Sequence, residues 1–280
     1  MASAALHDYL EFAVETAYEA GRLTLGYFQT DLKPDLKEDD SPVTEADRRA
    51  EELIRRRIAK RFPGHRIVGE EFGRSEGAAG APCWWIDPID GTKAFVRGVP
   101  LYGVLLGLEI EERIVAGAAY FPALGEMVYA AEGLGCRLNG RRCRVSPVAS
   151  IDRGIVSFTN AADFKAAGRG DAWERIVAAA WHSVGWSDAY GHALVATGRL
   201  ELMLDPIMSP HDCGPFPVIL REAGGYFGDW SGHETINGNE ALSTSARLLP
   251  EVLDLIPRDV PFDIGSQLFP MLVEMGLPFY

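Results

Sequence analysis

Apolar positions in the first quarter of the chain recur at a helical period. Between residues 5 and 28 they form one stripe, which predicts a long amphipathic helix. Residues 29–43 are polar and highly charged, so they predict a surface loop that can act as a mobile lid. The helical period returns at residues 44–61 and predicts a second helix.

Short apolar runs dominate the rest of the chain and predict strands. The runs at 102–109 and 114–121 flank the charged turn Glu111-Glu112-Arg113, a pattern typical of an antiparallel hairpin. Asn139-Gly140 is a favoured two-residue hairpin turn. Further strands are predicted to end at Glu70 and Asp87 and to span 126–130, 143–145, 155–158 and 200–204; helices are predicted at 173–181, at 190–197 and from about Asp212 to a terminator at Ala223-Gly224-Gly225.

This mixture of strands and helices predicts an α+β or layered α/β fold with mixed, largely antiparallel sheets. The chain divides near residue 150 into an N-terminal α+β lobe, residues 1–150, and a C-terminal α/β lobe, residues 151–280. No internal repeat is visible in the sequence. The apolar tail from Val260 to Tyr280 is expected to pack on the body of the protein or on a partner subunit.

Composition narrows the functional classes. The net charge of −13, with 27 basic and 40 acidic residues, disfavours binding to nucleic acid or to anionic membranes. No apolar run approaches the ~20 residues that span a bilayer. The first residues carry no secretory signal, so a cytoplasmic protein is expected. The four cysteines lack disulfide or metal-site spacing, which favours reduced thiols and argues against Zn²⁺.

The segment Trp85–Thr92, W-I-D-P-I-D-G-T, carries the most specific chemistry in the chain. Pro88 fixes its own φ angle and biases Asp87 toward an extended conformation, and Gly91 permits a tight reversal. Asp87 and Asp90 are therefore expected at a strand end, on a stiff loop. Rigidly held carboxylates suit Mg²⁺ or Mn²⁺. The alternative is a strand-ending turn with two solvated aspartates.

Other acidic residues also lie at predicted element ends. Glu70-Glu71 follows the apolar pair Ile67-Val68 and is expected where a strand opens into a loop. Asp47 lies three residues after Thr44, so it either belongs to a site or completes a capping box at the start of a helix. Asp212 precedes an apolar helical run, where a plain N-cap is the alternative to a functional role.

Together these positions resemble the inositol monophosphatase-like family of Mg²⁺-dependent phosphatases. The resemblance covers roughly residues 5–250 and rests on the order Asp47, Glu70-Glu71, D-P-I-D-G-T, Asp212. Two later patterns support it, A-T-G at 196–198 and E-A-G-G at 222–225. The resemblance implies a layered αβαβα sandwich of the inositol monophosphatase and fructose-bisphosphatase type, with the site between the two lobes.

The resemblance also implies a ligand set of oxygen atoms for two metal ions. The first metal would be held by Glu70, Asp87 and the carbonyl of Ile89, and the second by Asp87, Asp90 and Asp212. Glu70 would also assist a third, weakly bound ion. Two to three Mg²⁺ ions per subunit are therefore expected, with Mn²⁺ able to substitute.

The remaining roles concern water and phosphate. By the same resemblance, Asp47 and Thr92 orient the attacking water, and Gly91 and Thr92 cradle the phosphate of a small phosphate monoester. Lys37, in the lid, is a weaker candidate for anion binding. A homodimer is also expected. One departure stands out: His211 precedes Asp212 where the family usually has tryptophan, and either a structural substitute for the indole or a general acid would account for it.

Substrate choice is expected to depend on the C-terminal lobe. An acidic residue at Asp188, followed two positions on by Tyr190, resembles the histidinol-phosphate phosphatase branch of the family, and Asp205 matches the usual acidic substrate contact. Histidinol phosphate carries an amine and an imidazole, and two carboxylates suit such cations through charge-assisted hydrogen bonds. The alternative for Asp188 is a simple cap on the helix that carries Tyr190.

Two rival functions remain open at this point. Within the enzyme class, the substrate is an inositol phosphate or another sugar phosphate. Outside it, the chain is an inactive dimeric binding protein, although every expected acidic ligand is present in the sequence.

Overall fold

The helices follow the apolar periodicity of the sequence. The computed structural model describes residues 3–31, 33–36, 42–78 and 80–257. Its helices are α1 (Ser3–Leu25), α2 (Glu45–Arg61), α3 (Thr92–Val96), α4 (Ala161–Ala166), α5 (Gly170–Ala179), α6 (Asp188–Ala196), α7 (Pro210–Cys213), α8 (Phe216–Ala223) and α9 (Leu249–Leu255), with a 3-10 turn at Ile151–Arg153.

The strands form two large sheets and one short ribbon. They are β1 (Asp35–Leu36), β2 (Pro42–Val43), β3 (Arg66–Gly69), β4 (Gly73–Arg74), β5 (Cys83–Asp90), β6 (Gly103–Ile110), β7 (Arg113–Phe121), β8 (Glu126–Ala131), β9 (Arg137–Leu138), β10 (Arg141–Arg142), β11 (Ile155–Phe158), β12 (His182–Val184), β13 (Leu202–Asp205), β14 (Gly225–Gly228) and β15 (Ala241–Ser245).

Both large sheets contain parallel as well as antiparallel strand pairs. The first sheet runs β10-β9-β8-β7-β6-β5-β3-β4, with β3 parallel to β5 and the central neighbours antiparallel. The second runs β12-β11-β13-β15-β14, with β11 parallel to β12 and β13. β1 and β2 pair as a separate antiparallel ribbon.

Helices and sheets alternate in five layers. Helices α1 and α2 cover one face of the first sheet, where Ala13 and Ile54 share a buried cluster with Trp84. Helices α6 and α8 lie between the two sheets, and α4, α5 and α9 cover the outer face of the second, where Phe164 packs with Leu204. This αβαβα arrangement confirms the predicted sandwich.

Two glycines set how closely α7 and α8 approach the first sheet. A Cβ atom at Gly107 of β6 would lie 2.2 Å from the carbonyl oxygen of Gly214. One at Gly117 of β7 would lie 2.7 Å from Cα of Pro215. Only glycine allows this contact, because a side chain would overlap the facing backbone. The approach brings α7, which precedes Gly214, against β5.

Several predicted elements are confirmed. The helices predicted at 5–28 and 44–61 are α1 and α2, and the predicted hairpin is β6–β7. Its turn residues Glu111 and Glu112 both have positive φ angles, 51° and 60°, as a two-residue hairpin turn requires. The Asn139-Gly140 turn is also present, between β9 and β10.

Other predicted elements were wrong. Residues 143–145 form no described strand; instead the Val145 amide donates to the carbonyl of Ala223 at 3.1 Å. The helix predicted from Asp212 is broken into α7 and α8 around Gly214-Pro215, because proline is tolerated only in a first helical turn. Helix α4 and strand β12 were not predicted from the sequence, because their apolar patterns span only a few residues.

Some expectations fall outside what the structure tests. Lys37, the rest of residues 37–41 of the predicted lid and the tail from Val260 to Tyr280 lie outside the described residues. Elsewhere in the predicted loop, residues 35–36 and 42–43 form the short ribbon of β1 and β2. The predicted boundary near residue 150 falls in the connection between the two sheets, but two separate lobes stay a prediction. Within the described ranges, each helix is too short or too polar to cross a membrane, and all four cysteines are free thiols.

Candidate metal centre and cleft

Strand β5 carries the two central carboxylates. It was predicted to end at Asp87, but it continues to Asp90 with an irregularity in its pairing to β6 between these two residues. The Ile89 amide donates to Oδ1 of Asp87 at 3.0 Å and holds that carboxylate in place. Asp87 and Asp90 are only 2% and 7% exposed, so the alternative of solvated turn residues is excluded.

Two further elements bring acidic residues to the end of β5. Glu70 directly follows β3, where its amide donates to the carbonyl of Ile86 at 3.3 Å. Asp212 comes from α7, which the close packing of Gly107 holds against the sheet. The ligand atoms of Asp87, Asp90 and Asp212 all lie within 4.8 Å of one another. The second group of converging atoms consists of Glu70, Asp87 and His211.

The electrostatics of this cluster favour a bound cation. Burial, and then the charges of Glu70 and Asp90, raise the pKa of Asp87 well above its usual value. Burial and the charges of Asp188 and Asp212 do the same to the pKa of Asp90. Burial also raises the pKa of Asp212. Buried carboxylates that repel one another are stabilised by a divalent ion, so the residues present fit a metal centre with oxygen ligands.

Asp47 completes the capping box of α2 and also lies beside Thr92. Its Oδ2 atom accepts hydrogen bonds from the amide and hydroxyl of Thr44, at 2.8 and 2.5 Å, in a complete capping box of α2. Its Oδ1 atom lies 3.5 Å from Oγ1 of Thr92, whose hydroxyl also lies 3.0 Å from the Ile89 carbonyl. Burial raises the pKa of Asp47 to about 6, although the Thr44 hydrogen bonds oppose this.

Asp212 is the third residue of α7 and not its N-cap. Its Oδ2 atom accepts from the amide of Ser209 at 3.0 Å, which completes a capping box. Its Oδ1 atom lies 3.2 Å from Nε2 of His211. The ring of His211 therefore faces the metal-site carboxylates. Within the described ranges no other aromatic ring contacts it, and both roles considered for His211, the structural substitute and the general acid, stay predictions.

The acidic cluster opens into a cleft of about 220 Å³. Gly91, with φ of 78°, forms part of its wall, and a Cβ there would lie 2.9 Å from the carbonyl of Leu101. A larger cleft, about 790 Å³, is lined by Arg66, Trp85 and others, but none of the clustered carboxylates reaches it. The smaller cleft is lined by Pro42, Glu70, Asp87, Ile89, Asp90, Gly91, Thr92, Lys93, Asp188 and Asp212.

Asp188 lies in the wall of this cleft, at the start of α6. Its φ angle of 55° is unusual for a residue other than glycine. Among the described hydrogen bonds, its carboxylate accepts none from an amide of α6, so capping does not explain it. The amide of Ala189 donates instead to Oδ2 of Asp90 at 2.8 Å. Burial, and then the charge of Asp205, raise the pKa of Asp188 to about 6.

Asp205 was expected to contact the substrate directly, but its position in the structure does not allow this. It is 2% exposed and does not line the cleft. Its Oδ1 atom accepts from the amide of Thr159 at 3.2 Å, and its Oδ2 atom lies 3.2 Å from Nε2 of His192. The other ring nitrogen of His192 lies 2.7 Å from the hydroxyl of Ser243. No sequence pattern pointed to His192, because its partners come from distant segments.

The layered αβαβα fold with its buried cluster of carboxylates places the chain in the class of inositol monophosphatase-like phosphatases. Residues 5–257 match the Inositol monophosphatase family, and the chain belongs to that family. It is accordingly a phosphoric monoester hydrolase, from a family whose enzymes use divalent metals.

Individual relatives agree with this assignment. The chain is 44% identical to a histidinol-phosphatase of Chlorobaculum parvum, over 83% of this chain and 90% of that protein. It is 34% identical to a histidinol-phosphatase of Mycobacterium tuberculosis, over 88% and 97%. Among solved structures, an inositol monophosphatase from Anabaena superposes with a TM-score of 0.80 at 26% identity, over 90% of this chain and 97% of that one.

Proposed function

We propose that this protein hydrolyses histidinol phosphate, a step of histidine biosynthesis, with Mg²⁺ as its metal. The observation that carries the substrate is the Asp188 carboxylate in the wall of the cleft, next to the predicted phosphate cradle at Gly91. The names of the two relatives reported above support the same choice. We further propose two to three ions per subunit and a cytoplasmic homodimer.

At the phosphate end of the cleft, we assign one set of residues to holding metal ions and another to positioning the attacking water. Glu70, Asp87, Asp90, Asp212 and the Ile89 carbonyl would hold the metal ions. A divalent ion bound there would lower the pKa of a water molecule and offset charge on the phosphoryl oxygens. The Thr92 hydroxyl, between Asp47 and the Ile89 carbonyl, would orient the attacking water. Asp47, with a pKa raised to about 6, would accept a proton through that hydroxyl.

At the alcohol end, charge selects the substrate. Histidinol phosphate presents an amine and an imidazole, which are cationic when protonated. A cation near Asp188 would lower its raised pKa and gain a charge-assisted hydrogen bond. Asp205 would act indirectly, because its negative charge adds to the field at Asp188 while its oxygens stay bound to Thr159 and His192.

Hydrolysis of an inositol phosphate or another sugar phosphate is the second candidate. It is favoured by the Anabaena structure and by a relative from Aquifex aeolicus, 34% identical, that is named fructose-1,6-bisphosphatase/inositol-1-monophosphatase. The hydroxyls of a neutral polyol would donate hydrogen bonds to Asp188 but bring no positive charge to a cleft where burial already raises the pKa of that carboxyl. That desolvation cost favours the cationic substrate.

A panel of substrates tests the proposal. Phosphate release would be measured from histidinol phosphate, inositol 1-phosphate, fructose 1,6-bisphosphate and p-nitrophenyl phosphate. We expect kcat/KM to be highest for histidinol phosphate. We also expect activity to vanish after dialysis against excess EDTA and to return with Mg²⁺. A preference for inositol 1-phosphate would refute the substrate, and undiminished activity in EDTA would refute the metal-dependent mechanism.

A further inference from the structure

His211 occupies a position that the proposed chemistry does not use. It is the second residue of α7, and its side chain is about one fifth exposed. A ring nitrogen of His211 and carboxylate oxygens of Glu70 and Asp87 lie within 4.8 Å of one another. The imidazole thus meets two of the residues that would hold the first metal.

The distances are those of a set that one ion can share. Mg²⁺ binds its ligands at about 2.1 Å, so two ligands on opposite sides of the ion are about 4.2 Å apart. A set whose atoms are at most 4.8 Å apart needs only small side-chain adjustments to close on one cation. Neutral imidazole offers a lone pair for this, and histidine is the commonest metal ligand in proteins.

A purely ionic role accounts for less of this geometry. Nε2 of His211 already lies 3.2 Å from Oδ1 of Asp212. An ion pair between these two adjacent residues would not require any other carboxylate near the ring. Glu70 and Asp87 nevertheless face the same ring. Stacking on another aromatic ring does not account for it either, because the described residues provide no aromatic partner for the ring.

We propose that His211 is a nitrogen ligand of the first metal ion, alongside Glu70 and Asp87. Mg²⁺ prefers oxygen ligands, whereas first-row transition metals accept imidazole more readily. The nitrogen ligand biases this site from Mg²⁺ toward ions such as Mn²⁺ and Co²⁺. This inference rests on the proposed metal-dependent phosphatase function and adds a metal preference to it.

Pulsed EPR on the Mn²⁺-loaded full-length protein gives a direct test. A histidine nitrogen bound to Mn²⁺ produces a ¹⁴N coupling, and labelling only the histidines with ¹⁵N changes it. We expect this coupling in the wild-type protein and in His7→Phe, a control that removes an exposed histidine on α1. We expect it to disappear in His211→Phe. A wild-type protein that binds Mn²⁺ without any histidine coupling overturns the proposal, whatever the stability of the variant.

Affinities provide a second, independent readout. We expect His211→Phe to weaken Mn²⁺ binding by about 10-fold or more, measured by the free Mn²⁺ signal, and Mg²⁺ binding by clearly less. If the affinities for Mn²⁺ and Mg²⁺ fell by the same factor, the ring would act only through its position or charge. That result would overturn the proposal that His211 is a nitrogen ligand. If Mn²⁺ binds and phosphate is released but no coupling appears, only this inference fails. If the protein binds neither ion, the proposed function fails as well.

Discussion

Asp90 and Ala189, ninety-nine positions apart, are joined by a hydrogen bond from the Ala189 amide to Oδ2 of Asp90 at 2.8 Å. The bond connects a predicted metal ligand on β5 with the first turn of α6, the helix that carries Asp188 in the cleft wall. One carboxylate oxygen of Asp90 is thereby fixed by the first turn of α6. The same side chain therefore links the acidic cluster to the part of the cleft wall that α6 forms.

Replacing Asp90 by asparagine tests the metal site with little disturbance of the fold. The asparagine side-chain oxygen can still accept the Ala189 amide, so α6 stays in place. Loss of one negative ligand should lower kcat by at least ~10²-fold, because the metal ions stabilise charge in the transition state. Phosphate release and thermal melting would be compared with Asp152→Asn, which changes an exposed aspartate. Near-full activity in Asp90→Asn would show that the catalytic site lies elsewhere.

The role of Thr92 can be tested by measuring the effects of a substitution on kcat and on KM separately. The Thr92→Ala variant removes the hydroxyl that lies between Asp47 and the Ile89 carbonyl. We expect kcat to fall more than KM rises, because the hydroxyl orients the water mainly in the transition state. Thr92→Ser keeps the hydroxyl and should recover much of the rate. A rise in KM alone, with kcat unchanged, would limit Thr92 to binding the phosphate.

The raised carboxyl pKa values predict how pH affects the metal-free protein. Burial raises the folded pKa values of Asp47 and Asp188 to about 6, above the ordinary 3.8, and it also raises those of Asp87 and Asp90 well above the ordinary value. A carboxyl group whose pKa is higher in the folded than in the unfolded protein stabilises the folded state fully when the pH is below the unfolded pKa. This contribution is lost as the pH rises through the folded pKa. In EDTA, Tm should fall between pH 5 and pH 7.5, on the order of 5 °C.

Metal should reverse this trend. Mg²⁺ binds the ionised carboxylates, so its stabilising effect should be larger at pH 7.5 than at pH 5. Asp90→Asn removes one of the buried acids and should show a flatter pH dependence in EDTA than the wild type. Melting curves with and without Mg²⁺ at several pH values would measure both effects. A metal-free Tm that rises with pH over this interval would contradict the prediction.

The sequence predicted the parts of the site that depend on local chemistry. The D-P-I-D-G-T segment carries its own constraints in Pro88 and Gly91, and Gly91 indeed has a positive φ angle. The capping box of α2 was visible from the spacing of Thr44 and Asp47. These features involve neighbours along the chain, so a pattern of residue types is sufficient to detect them.

Contacts between distant segments could not be predicted in the same way. Asp205 was expected in the cleft, yet its oxygens are bound by Thr159, 46 positions away, and by His192. His192 in turn faces Ser243, 51 positions away. His211 approaches Glu70 and Asp87, which come from two other segments of the chain. Such placements follow from the packing of two sheets against shared helices, which spacing along the chain does not reveal.

The substrate proposal is tested most sharply by Asp188→Asn. Asparagine tolerates the positive φ angle found here, so the start of α6 should keep its shape. Loss of a charge-assisted hydrogen bond costs roughly 1.5–3 kcal/mol, which corresponds to about a 10- to 150-fold rise in KM for histidinol phosphate. Hydrolysis of p-nitrophenyl phosphate, which carries no cation, should be spared, and that of inositol phosphate should not decline. Steady-state kinetics on the three substrates measures this pattern, with Asp152→Asn as the control. Equal losses on all three substrates would make Asp188 a structural residue and remove the main support for a cationic substrate.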